Sequence, residues 1–188
     1  TSANIPTPSL FSHLTPDCKP EASNSRRYSQ VNKSFIQSEV DKLLSAGIIE
    51  PSESPWRSQI VVTTNERHKK RMVIDYLQTI NRLTQLDAYP LPRMNELVNT
   101  VAAYGVYSTL ELKSAYHQIP LPESDKKYTA FEANGNLYQF CRIPFGLTNA
   151  VAQFQRIMDN FIRDNKLNDT YVYIDNVLIC GKSQNEHD

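Results

Sequence analysis

The ten residues Tyr171-Val-Tyr-Ile-Asp-Asn-Val-Leu-Ile-Cys180 hold two β-rich runs, Tyr171–Ile174 and Val177–Cys180, separated only by Asp175 and Asn176. β-Branched and aromatic residues on both sides of an Asx pair form the pattern of a tight hairpin, because Asp and Asn take positive φ at little steric cost. Such a tip lies at the end of a sheet, where a carboxylate meets groups from other strands. Taken alone, Asp-Asn describes a polar surface turn. Upstream residues decide whether Asp175 has partners.

Immediately upstream, Thr148 is an N-cap for a helix running to about Asp164, with Val151, Phe154, Ile157/Met158 and Phe161/Ile162 as its apolar stripe. Pro144-Phe-Gly-Leu147 forms a bend before it. Further back, Tyr128–Ala133 and Leu137–Cys141 flank Asn134-Gly-Asn136, a second hairpin with strong turn chemistry. Val106–Leu112 is a strand ending near Glu111, followed by a short helix over Lys113–Gln118. An acidic residue in that apolar context is costly unless it has a partner. Pro90 and Pro92 lead into a short helix with Met94, Leu97, Val98 and Val101 inward.

A third hairpin pairs Gln59–Thr64 with Arg71–Tyr76, and its tip and second strand carry Arg67, Lys69, Lys70 and Arg71. A basic tip is ordinarily a solvated loop, and it is also what holding phosphates requires. Ser34 with Gln37 makes a capping box for a helix over 34–46, which Gly47 terminates. Residues 1–27, rich in Ser, Thr, Pro and Asn, read as an irregular or mobile arm.

At 188 residues with 40% hydrophobic and 21% charged, the chain is globular in composition and large enough for one domain or two packed subdomains. The 20 basic and 20 acidic residues cancel. Their distribution does not: residues 1–94 hold 12 basic against 9 acidic, and residues 95–188 hold 8 against 11. Three cysteines without CxxC spacing fit a reducing compartment rather than a disulfide framework or zinc site. No apolar run reaches the ~18–20 residues that span a bilayer, so no membrane partner is expected. Beginning at Thr1 and ending at Asp188, just past the hairpin, the chain reads as a piece of something longer.

Two acidic residues on separate strand ends, Glu111 and Asp175, with a basic hairpin before them, are parts that phosphoryl or nucleotidyl transfer needs. Carboxylates suit Mg²⁺, which takes much of its shell from water and phosphates and so needs few protein ligands.

Seven ordered motifs extend this. They are Leu44-Ser-Ala-Gly-Ile-Ile-Glu-Pro-Ser-Glu-Ser-Pro-Trp56, Arg71-Met-Val-Ile-Asp-Tyr76, Tyr89-Pro-Leu-Pro-Arg93, Ser108-Thr-Leu-Glu-Leu-Lys-Ser-Ala-Tyr-His-Gln118, Pro144-Phe-Gly-Leu-Thr-Asn149, Phe154-Gln155 and Tyr173-Ile-Asp-Asn176. In this order and spacing the chain, from about Tyr28 onward, resembles the reverse transcriptase of gypsy-type LTR retrotransposons. The resemblance implies an α+β fold, the right-hand fingers and palm of a polymerase, with an antiparallel palm sheet backed by helices. Fingers are expected over about 28–104 with part of 119–147, and palm over 105–118 and 148–188, with the thumb absent.

The implied chemistry is RNA-directed DNA polymerisation with two Mg²⁺ ions, dNTPs and an RNA or DNA template bearing a primer. The chain would be part of a longer polyprotein with protease, RNase H and integrase, in a cytoplasmic retroelement particle. Position by position, the resemblance makes Glu111, Asp175 and Asn176 catalytic metal ligands. It assigns Arg71, Ser114, Ala115, Tyr116, Phe145 and Gly146 to the nucleotide, with Tyr116 rejecting a ribose 2′-hydroxyl, and Arg67, Lys69 and Lys70 to nucleic acid.

This sequence also departs from the family pattern. Glu111 stands where the family has Asp, lengthening the ligand by a methylene, and Asn176 stands where it has a second Asp. The triad thus carries a formal charge of −2 in place of −3. These changes and the expected lack of a thumb imply a weakly active or inactive polymerase fragment, or a non-catalytic nucleic-acid-binding relic.

Overall fold

The structure is a computed structural model that describes residues 9–187. The elements run α1 (Gln30–Ser45), β1 (Ile49–Pro51), β2 (Gln59–Thr64), β3 (Lys70–Asp75), α2 (Met94–Val101), β4 (Val106–Glu111), α3 (Glu123–Lys126), β5 (Phe131–Ala133), β6 (Asn136–Phe140), α4 (Ala150–Asp164), β7 (Thr170–Tyr173), β8 (Asn176–Gly181) and α5 (Gln184–His187). Short 3₁₀ turns occupy Ile80–Leu83, Ala115–Gln118 and Lys127–Thr129. The fold is α+β, with every strand pairing between named strands antiparallel. Two compact units divide it: the described residues up to Leu86 with Tyr116–Ala150, and Asp87–Ala115 with Val151 onward.

In the first unit, β2 and β3 form a hairpin, and β1, β6 and β5 form a three-stranded sheet in that order. Ile36 and Val40 of α1, Ile60, Tyr76, Phe131, Phe140 and Ile143 are buried. The β5–β6 turn places Asn134 at φ 47° and Gly135 at φ 82°, the double positive that a two-residue type I′ loop demands. Helix α1 ends as its glycine predicts: Gly47 sits at φ 65°, Ile48 N–H donates to the Leu43 carbonyl and Gly47 N–H to that of Leu44. The described arm has no helix or strand of its own, yet it is held. Leu10 and Phe11 are buried, Phe11 packs on Tyr128 with ring centroids 4.7 Å apart, and Ser9 Oγ and Leu10 N–H donate to the buried Asp125 carboxylate.

In the second unit, β8 lies between β4 and β7. Val106↔Gly181 through Glu111↔Asn176 sets the register of the first pair, and Thr170↔Ile179 through Tyr173↔Asn176 that of the second. Phe154 and Ile157 of the α4 stripe are buried, whereas Phe161 is exposed near its end.

Several elements differ from the expectations. Helix α1 begins at Gln30, capped by Ser29, whose Oγ accepts from Asn32 N–H; Ser34 is interior and its hydroxyl donates back to the Gln30 carbonyl. The Ser29 hydroxyl, in extended backbone, satisfies the Asn32 N–H and so starts the helix about one turn earlier. Helix α4 starts at Ala150, and Thr148, whose N–H donates to the Asn81 side chain, lies in the preceding turn. Helix α2 buries none of its residues, and Met94 and Val98 are exposed; an apolar stripe is buried only where another element lies against it. Glu111 is exposed too, so its position carries no burial cost. Among the described residues no helix is long and apolar enough to cross a membrane.

Candidate active site

The hairpin that carries Asp175 is shifted by one residue from the sequence reading. Tyr173 pairs with Asn176, so the two-residue turn is Ile174-Asp175 and Asn176 is the first residue of β8. The cause is β4, which takes Asn176 into its ladder opposite Glu111. The positive φ that an Asx residue was expected to supply falls on Ile174, at 56°. A single positive φ at the first turn position is the type II′ pattern, which glycine favours. For a β-branched residue it is a strained conformation, costing on the order of 1–3 kcal/mol and kept only where the surroundings enforce it.

That turn brings three oxygen-bearing side chains to one end of the β4–β8–β7 sheet. Leu112 N–H donates to the Asp175 carbonyl at 2.9 Å, which makes Glu111 and Asn176 a non-hydrogen-bonded cross-strand pair. In such pairs side chains share a face and approach most closely. Asn176 Nδ2 donates to Asp175 Oδ1 at 3.3 Å, so the amide lies against the carboxylate. Glu111 makes no hydrogen bond or ion pair among the described residues. All three side chains present hard oxygen donors, which suit a divalent cation of the Mg²⁺ kind. The third donor is neutral, and among the described residues no group of three or more His, Cys, Asp or Glu could hold a metal ion. The set fits a cation with two charged ligands.

Behind the turn lies a side chain that sequence reasoning had quoted in a motif without a role. Gln155 of α4 is fully buried; its Oε1 accepts from Ile174 N–H at 2.8 Å, and its Nε2 donates to the Val172 carbonyl at 3.1 Å and to Asp159 Oδ1 at 2.9 Å. The second Asp159 oxygen takes the Tyr89 hydroxyl at 2.6 Å. Burial and that bond push the Tyr89 phenol up to about 12. Arg156 lies over the Tyr89 ring at 4.6 Å and donates to Asp87 at 2.7 Å. The available signal was an amide standing next to the apolar stripe of an amphipathic helix.

The first unit gathers the other group. Lys69, Lys70, Arg71, His117, Phe140, Pro144 and Phe145 are among the residues lining a cleft of about 640 Å³. Arg71 is exposed on β3, paired through its backbone with Thr63, and its guanidinium engages no hydrogen bond or ion pair among the described residues. Lys70 Nζ donates to Asn32, and Arg67 lies at the hairpin tip, outside that lining. The tip is shaped by Asn65, whose Oδ1 accepts from Arg67 and Lys69 N–H groups. Tyr116, 5% exposed, meets Phe145, 56% exposed, edge-on with centroids 4.8 Å apart. His117 stacks on Phe140, and burial, with the nearby Arg142 cation, lowers its pKa.

Gly146 stands at φ 93°, where any side chain would strain the backbone. Asn81 fixes this bend by donating to the Gly146 carbonyl and accepting from Thr148 N–H. No local pattern around Asn81 announces that clamp across 65 residues. Ser114, at φ 50°, and the buried Ala115 lie on the short connection from β4 into the 3₁₀ turn. The predicted residues therefore fall into two sets. Glu111, Asp175 and Asn176 meet in the second unit, and Arg71, Lys69, Lys70, Tyr116, Phe145 and Gly146 belong to the first.

Similarity to known proteins bears on the family and the fold. The chain is 40% identical over 159 residues to the retrovirus-related Pol polyprotein from transposon gypsy of Drosophila melanogaster, a match covering 81% of this chain and 15% of that protein. The chain thus spans about 15% of that relative's length. Among solved structures, prototype foamy virus protease-reverse transcriptase superposes with a TM-score of 0.83 at 22% identity, over 98% of this chain and 24% of that one. The foamy viral enzyme in complex with an RNA/DNA hybrid gives 0.82 at 20% identity, over the same 98% and 24%. Residues 48–188 match the family model described as reverse transcriptase (RNA-dependent DNA polymerase), and the chain belongs to that family.

Proposed function

We propose that this chain is the nucleotide- and metal-handling portion of an RNA-directed DNA polymerase from an LTR retroelement, with fingers over about 28–104 and part of 119–147 and palm over 105–118 and 148–188. The observation that carries this reading is the apposition of Glu111 and Asn176 across two strands with Asp175 on the adjoining turn. Glu111, Asp175 and the Asn176 amide would hold Mg²⁺, two ions in the family's reaction, which supplies activation of a primer hydroxyl and neutralisation of phosphate charge.

The remaining roles belong to the protein. Arg71 presents a planar cation with its fork unengaged, suited to bidentate contact with triphosphate oxygens. Tyr116 against Phe145 forms an aromatic floor for the incoming sugar, and the Gly146 bend keeps that wall free of further side chains. Ser114 and Ala115 offer backbone to the phosphates. Lys69, Lys70 and Arg67 form a basic tip for the template or primer backbone. A Pol polyprotein relative and a structural neighbour bound to an RNA/DNA hybrid support nucleic acid as the partner and a longer polyprotein as the setting; within this proposal the nucleic acid is a primed template and the polyprotein carries protease, RNase H and integrase segments.

Calorimetric titration of dTTP with Mg²⁺ into the chain tests this. Arg71→Ala should weaken binding roughly ten- to a hundredfold, since a hydrogen bond to a charged group is worth about 1.5–3 kcal/mol. Absence of Mg²⁺-dependent dTTP binding in the unmutated chain overturns the reading.

The neutral third ligand favours a second reading, a reverse-transcriptase-derived relic that binds nucleic acid without catalysis. Metal-independent binding of oligo(dT)-primed RNA without dTTP incorporation would select it, and Mg²⁺-dependent incorporation would exclude it.

A further inference from the structure

Both Nε2 protons of Gln155 are committed, to Val172 and Asp159, and its Oε1 is committed to Ile174 N–H. The amide therefore has one orientation. Flipped, it would set an acceptor against the Val172 carbonyl and the Asp159 carboxylate, and a donor against Ile174 N–H. Asp159 is itself fixed by the Tyr89 hydroxyl. The clamp closes on the residue whose backbone least favours its conformation, Ile174 at φ 56°, immediately before Asp175.

We propose that Gln155 is a positioning residue for Asp175. It holds the Tyr173–Asn176 turn so that the Asp175 carboxylate stays beside the Asn176 amide, while Asp159 and Tyr89 keep the Gln155 amide oriented. A ligand is only as well placed as the groups behind it. This inference rests on reading that sheet end as a divalent-cation site.

The test uses the whole chain, with Mn²⁺ alone as the probe, and two readouts: Mn²⁺ affinity by electron paramagnetic resonance, and amide hydrogen exchange of Ile174 by NMR. Gln155→Leu keeps the bulk and removes the three polar contacts. It should weaken Mn²⁺ binding about tenfold or more, the scale of outer-shell losses at metal sites, and accelerate Ile174 exchange relative to Val40 in α1. Tyr89→Phe, which removes a single hydroxyl, should shift both readouts the same way by roughly two- to fivefold, in keeping with one lost hydrogen bond. Ile157→Val, a core truncation on the same helix, should leave both unchanged.

Unchanged Ile174 exchange in folded Gln155→Leu overturns the proposal, as does an equal Mn²⁺ loss in Ile157→Val. If Gln155→Leu does not fold, Tyr89→Phe decides by the same two readouts. If the unmutated chain binds no Mn²⁺, or binds it equally well as Asp175→Asn, the cation-site reading falls. Ile174 exchange then still decides whether Gln155 holds the turn.

Discussion

Asn176 sets how much negative charge the end of β4–β8 offers a cation, and Glu111 sets how far one ligand reaches. Asn176→Asp puts a third carboxylate directly across from Glu111 and beside Asp175. It should raise Mn²⁺ affinity roughly tenfold, since an added unit charge about 4 Å from a cation is worth ~1 kcal/mol or more even in water. Without metal it should lower stability by about 0.2–1 kcal/mol, because like charges opposite one another repel across a ladder; urea denaturation with and without Mn²⁺ separates the two effects. Glu111→Asp leaves the charge alone and draws the ligand back by ~1 Å, a displacement that in positioned reactions is worth about a hundredfold. Incorporation of dTTP on primed RNA should therefore respond more to Glu111→Asp than to Asn176→Asp, and the reverse order would make charge the limiting factor. The carboxylates and Arg71 were legible because charge in a strand-rich context is conspicuous. Gln155 was not, because an amide on an amphipathic helix looks like solvent-face filling until the strand it touches is known.

At the scale of elements, the sequence showed which segments are helices and strands better than where they begin. Helix α1 is the plain case, since two serines compete to start it. Ser29 has extended backbone and accepts from Asn32 N–H, whereas Ser34 donates back to the Gln30 carbonyl within the helix. Ser29→Ala should cost about 1 kcal/mol of stability, the usual worth of an N-cap hydroxyl. Ser34→Ala should be neutral or slightly stabilising, because an interior serine gives up helix propensity to alanine; urea midpoints of the two variants check the assignment, and a larger loss at Ser34 would restore the capping box there. The Asp175 hairpin erred by one residue for a different reason. Its turn chemistry favoured Asp-Asn, but a third strand claimed Asn176 as the partner of Glu111. Pairing between distant strands overrides a local turn preference, and a single hairpin's sequence does not contain it.

For the whole molecule, the charge polarity read along the chain survives the actual grouping. The first unit holds 14 Lys and Arg against 11 Asp and Glu, and the second 6 against 9, although the boundaries weave through the sequence. What composition could not show is that 87–115 belongs with 151 onward, since that follows from β4 pairing with β8. The two units also differ in how much they bury. The first closes over Ile60, Tyr76, Phe131 and Phe140, with the chain's single tryptophan, Trp56, 3% exposed. The second has α2 with nothing buried, and β4 exposes Tyr107 and Leu110. Regions with few buried apolar contacts open at lower free energy. Trp56 fluorescence should therefore report unfolding at a higher urea concentration than that at which the Val172 and Leu178 amides lose exchange protection. In the interval between the two midpoints the cation site should be lost while the Arg71 cleft persists, so Mn²⁺ binding should fall with the amide protection and not with the fluorescence. A single coincident transition for all three signals would show that the units fold as one and that the site shares the stability of the whole.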